Sequence, residues 1–165
     1  MNRKRTHNNK TYLAVLINII IPLAGMSTDI YLPSLPAMCS HFHVAKALVQ
    51  LTVTTYVLGV GIAQLIAGPI SDANGRKKLL VFALLIQLIA ILLIVLTPSI
   101  HWMIVFRFLQ GIGAGLMVVP ARAIINDIFS GTELKKQFNT LTISFAMAPI
   151  IAPFIGGYVQ HYFGW

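Results

Sequence analysis

Apolar positions along this 165-residue chain come in long runs. They show neither the alternation of a half-buried strand nor the one-sided stripe of a soluble amphipathic helix. Five runs approach the roughly 20 residues that a bilayer crossing needs. They predict helices near Thr11–Leu32, Leu48–Ser71, Leu79–Leu96, Ile100–Ile124 and Phe138–Tyr158. Helices are expected because backbone N–H and C=O groups find no water in hydrocarbon and must bond within the segment. The polar connections are short: "PSLPAMCSHFHVAKA", "DANGRKK", "TPS" and "NDIFSGTELKKQ". The expected class is an all-α membrane protein of about five transmembrane helices, with residues 1–10 a basic tail and 11–165 a transmembrane bundle.

Composition supports this reading. Hydrophobic residues make up 57% of the chain and charged residues 10%, with mean hydropathy +0.81. A soluble domain carries about 25% charged residues. "MNRKRTHNNK" followed by an apolar run has the outline of a signal peptide, but the run is long and no small-x-small site follows it, so it reads as a retained first helix. The net charge of +8 does not point to nucleic acid, because the bases gather at the ends of apolar runs. One side of the membrane receives Arg3, Lys4, Arg5, Lys10, Arg76, Lys77, Lys78, Arg122, Lys135 and Lys136, and the other only Lys46. The positive-inside rule places the former side, with the N-terminus, in the cytoplasm. Cys39 is the single cysteine, so no intrachain disulfide forms. His7, His41, His43, His101 and His161 lack metal-binding spacing and read as solvated or interfacial. No nucleophile–base pair or phosphate loop suggests an enzyme, and neither a metal nor a cofactor is expected.

Two charges fall inside the runs. At 1.5 Å per residue, Asp29 lies roughly 26 Å along its helix and Arg107 about 10 Å into its own. Both therefore belong to the outer half, where they could share a cavity. A charge near the bilayer centre costs about 2.5–3.5 kcal/mol on insertion scales. One reading has both groups snorkelling to the interface; the other is a carboxyl held between burial and a neighbouring cation, able to load and release a proton. Asn18, Pro22, Gly25 and Asp29 recur at helical spacing, as do Arg107, Gly111 and Gly115, and Thr54, Gly61, Gln64 and Gly68. The glycines are expected to let helices approach closely. Asn18, Gln64 and Gln110 are candidates to join helices or to line a cavity. Pro149 and Pro153 predict a bend, with Gly156 on the same face and Gly157 beside it.

Four motifs occur in order. "STDIYLPSLPAM", "GPISDANGRKKLL", "RFLQGIGAG" and "APIIAPFIGG" resemble signatures of the major facilitator superfamily, in particular its drug/proton antiporters of the bicyclomycin- and chloramphenicol-resistance type. The second departs from the family pattern, with Gln64 where a glycine is usual. The resemblance implies the N-terminal bundle of that fold, with a sixth helix due near "HYFGW" and a C-terminal half missing. It implies a proton-coupled multidrug efflux antiporter of the bacterial inner membrane, conferring antibiotic resistance, with drug-like small molecules, protons and the lipid bilayer as partners. It assigns proton coupling to Asp29 and Arg107. Asp72, Gly75, Arg76 and Asp127 become a cytoplasmic latch, Arg76 pairing with Asp72 or Asp127. Pro149, Pro153, Gly156 and Gly157 become the antiporter bend. The alternative is a truncated, transport-inactive membrane protein, or a half that needs a second chain.

Overall fold

A computed structural model describes residues 2–164; the side chains of residues 2–9, 11 and 163 lie outside the described residues, those of Arg3, Lys4, Arg5 and His7 among them. The described elements are helices: α1 (Asn2–Asp29), a 3-10 turn (Leu32–Ser34), α2 (Leu35–Phe42), α3 (Lys46–Asn74), α4 (Arg76–Leu96), α5 (Ile100–Ile128) and α6 (Gly131–Phe163). Five stretches are long and apolar enough to cross a membrane, matching the five expected runs. The surface fits that solvent: Leu65, Val95 and Phe154 stand almost fully exposed.

The helices outrun the sequence-based boundaries. α1 begins within the basic segment expected to be a tail, and α5 and α6 consume nearly all of the expected loop 125–137. The connection after the first crossing is also helical, as the 3-10 turn and α2. Hydropathy marks where hydrocarbon ends, whereas a helix stops only where capping or backbone geometry stops it.

Gly75 supplies such a stop. It alone separates α3 from α4 and has φ +90, a conformation rarely open to residues with a Cβ. Its N–H still bonds Ser71 O at 3.0 Å, and its carbonyl accepts from Leu79 N at 3.3 Å. The chain reverses in one residue and sets Arg76 at the first position of α4.

α5 is the central helix, packed chiefly on α3 and then on α4, while α1 packs mainly on α6. Small residues make these contacts. A Cβ at Gly59 would strike Phe108 O, one at Gly111 would strike Tyr56 O, and one at Gly115 would lie 2.5 Å from Val60 O. The buried side of α3 is therefore Thr52, Tyr56, Gly59, Ala63, Ala67 and Ser71. This corrects part of the expected stripe: Gly61 and Gly68 meet nothing within 4 Å, and Thr54 and Gln64 are exposed on the outward side of α3. The glycine of α3 that packs on α5 is Gly59.

Between α1 and α4 three hollows follow one another and share lining residues. The lower two share Ile20 and Leu84, the upper two Ser27, Ile30 and Ile91, and the uppermost is a cavity of about 560 Å³ beside Arg107.

Candidate functional site

Two charged centres stand at opposite ends. The basic end holds the α3–α4 turn and the end of α5. Arg76 Nη1 forms an ion pair with Asp127 Oδ2 and also donates to the Ala123 carbonyl. Lys10 Nζ, from α1, donates to Ile128 O at 3.3 Å. Two cations therefore meet the last turns of α5, where the helix dipole is negative, and Ile128 O, at the final position, lacks an intrahelical partner. Of the two partners expected for Arg76, the structure pairs it with Asp127. Asp72 is exposed at the same end.

At the other end lies Arg107, only 5% exposed. Its guanidinium carbon sits 3.5 Å from the Tyr31 ring centroid, a cation–π contact. Nη1 donates to Ser27 O and to Gln110 Oε1, each at 3.2 Å, while the buried Nε has no partner. Tyr31 is held in turn, its hydroxyl 2.8 Å from Thr52 Oγ1. Thr52 Oγ1 also lies 2.6 Å from Val49 O, and the Tyr31 hydroxyl 3.6 Å from Met103 Sδ. Tyr56 donates to Ala24 O at 2.7 Å and ties α3 to α1.

The expectation that Asp29 and Arg107 share a cavity is not met. Arg107, Gln110, Ser27 and Ile30 line the upper cavity, with Met38 and Met103 among its apolar walls, and Asp29 is not part of that lining. The only ion pair among the described residues is Arg76–Asp127. The reason is helical geometry. Asp29 follows Ser27 by two residues, about 200° around the helix axis, so the Asp29 carboxyl leaves α1 on the side away from the Ser27 side chain, which lines the cavity. Asp29 is half-buried at the last position of α1.

The remaining expected residues fall into packing roles. The Asn18–Gly25 face lies along α6: Asn18 Nδ2 approaches Gln137 Oε1 at 3.4 Å, and a Cβ on Gly25 would meet the Phe145 ring. Gln110 both lines the cavity and bonds Arg107. α6 is continuous through Pro149 and Pro153. Ala148, Ala152 and Gly156 are buried, and a Cβ on Gly156 would strike Ile30 O just past the end of α1, while Pro149 is exposed and Pro153 and Gly157 are half-buried. Gly156, seven residues after Pro149 and three after Pro153, keeps the same broad helix face as the prolines. Sequence reasoning missed Ser27, Tyr31, Thr52, Tyr56 and Gln87. The available signal was Gln87, a lone polar residue in the most apolar run.

Five membrane-length helices joined by buried glycines, with a guanidinium sealed inside, define a multi-pass membrane protein. A family model described as Major Facilitator Superfamily matches residues 17–165. The chain belongs to the Major Facilitator Superfamily, whose members are transporters rather than enzymes. It is 39% identical, over 92% of its length, to the uncharacterized MFS-type transporter YdgK of Bacillus subtilis. It is 31% identical to the bicyclomycin resistance protein homolog of Haemophilus influenzae and 30% identical to multidrug resistance protein D of Escherichia coli, each over 100% of this chain. The chain spans 38% of the first relative's length and 41% of each of the other two.

Proposed function

We propose that this chain forms the N-terminal part of a proton-coupled efflux antiporter for drug-like small molecules, lying in a bacterial inner membrane with its basic end in the cytoplasm. The observation that carries the reading is Arg107: a cation held inside a membrane bundle, bonded to a backbone carbonyl and an amide, with no acid paired to it. Intramembrane cations are costly and usually serve transport. The relatives named for multidrug and bicyclomycin resistance support an exporter. Asp29 is the half-buried carboxyl assigned to carry the proton, and Arg76 with Asp127 the cytoplasmic latch. Substrate would bind between this bundle and a second one, as in other members of the fold.

The test is Asp29→Asn in a coding sequence that includes both halves. Drug resistance, and substrate-dependent proton flux in everted vesicles followed with a pH-sensitive dye, should both disappear at unchanged expression. Undiminished flux removes Asp29 from the proton path. A second reading is a transport-inactive membrane protein, or a half that needs a second chain. Reconstituting the 165 residues alone separates the two, since drug-dependent proton flux from this chain excludes the second.

A further inference from the structure

Every position of α4 from Leu79 to Leu96 is apolar except Gln87. An amide placed in such a helix must find a partner within the bundle or remain unsatisfied in hydrocarbon. Gln87 is 8% exposed, and its Nε2 donates to Ser27 Oγ at 3.2 Å. The Ser27 hydroxyl is itself oriented, donating to Leu23 O at 3.1 Å, so its lone pairs face the amide. The approach depends on Gly113 of α5: a Cβ there would lie 2.9 Å from Gln87 N and 3.2 Å from Gln87 Oε1.

The same serine holds the arginine. At the end of α1 the chain tightens, and Tyr31 N–H bonds Thr28 O at 3.1 Å in place of the i−4 carbonyl, which is that of Ser27. Ser27 O is thereby released from the helix ladder, and Arg107 Nη1 takes it. Ser27 thus receives α4 through its side chain and α5 through its carbonyl.

We propose that Gln87 is a positioning residue for Arg107: by fixing Ser27 it sets the released carbonyl where the guanidinium can hold it while lying over Tyr31. The consequence for transport rests on the antiporter reading above; the geometry does not. Gln87 does not line the upper cavity; its hydrogen bond goes to Ser27, and it also packs on Gly113 of α5.

The experiment is NMR of the full 165-residue chain in lipid nanodiscs with 15N-arginine. Arg107 is assigned by Arg107→Lys among Arg3, Arg5, Arg76, Arg107 and Arg122. Its guanidinium signals should be displaced by the Tyr31 ring current. Gln87→Met keeps the volume and loses the donor; Ser27→Ala, a smaller change, loses the acceptor. Each should move the Arg107 signals toward those of the other arginines, and the double variant should move them no further than either alone. Gln64→Met, on the outward side of α3, should leave them in place. Arg107 signals that stay put in folded Gln87→Met and Ser27→Ala overturn the proposal, as do additive shifts in the double variant. The readout needs no transport: a displaced Arg107 signal combined with undiminished flux in Asp29→Asn upholds the positioning role and removes only the proton path.

Discussion

At the scale of single residues, the glycines divide by what a methyl group would meet. Gly59, Gly111 and Gly115 sit against backbone of the facing helix, which cannot rotate away as a flexible side chain could. Gly61 and Gly68 face open space on the same helix as Gly59. Gly111→Val should therefore destabilise the bundle by about 1–3 kcal/mol or more, the usual cost of overpacking, and lower its melting temperature in detergent. Gly61→Ala should leave the melt unchanged or raise it slightly, because alanine is the better helix former. Equal effects at both sites would refute the packing assignment. Spacing alone ranked Gly61 with the packing glycines, since a helical repeat defines a face without saying whether a neighbour lies on it.

Among the elements, the basic end gathers two helices, α1 and α4, on the final turns of α5. The Arg76 and Asp127 side chains are 31% and 56% exposed. A pair so wet is worth only about 0–1 kcal/mol, too little to matter for holding the fold but suited to a contact that breaks and re-forms during a cycle. Asp127→Asn should consequently shift the melting temperature by a degree or two and lower drug efflux at least tenfold in the two-half protein. A large loss of stability with normal efflux would make the pair a structural brace and end the latch assignment. The motif around Arg76 was legible in sequence. Its choice of Asp127 over Asp72 was not, because that depends on where Gly75 turns the chain and on where α5 ends.

For the whole molecule, the proposed orientation can be read through one native atom. Cys39, the sole cysteine, lies in α2 at the end opposite the basic cluster and is partly accessible. A membrane-impermeant maleimide should label it in intact cells and fail to do so in sealed inside-out vesicles. The reverse pattern would invert the topology. Lys46 is the lone base on that side against the many at the other, so the charge asymmetry and the thiol give independent readings of the same orientation.

The number of crossings, their order and the bias of basic residues to one end were determined by the sequence alone. Apolar length and charge act locally, between each segment and the bilayer, and need no neighbour to be read. The four motifs likewise carried the family. Which face of each helix turns inward was decided by tertiary structure. In lipid both sides of a helix can be apolar, so hydropathy does not separate core from surface; the choice falls to where backbones can touch, as at Gly59 with Phe108. Arg107 shows the same division. Its place in a membrane run was plain, and a partnership with Asp29 followed from depth. Its actual partner, the Ser27 carbonyl, became available only because the end of α1 tightens into a 3-10 turn and α5 comes close enough to reach it.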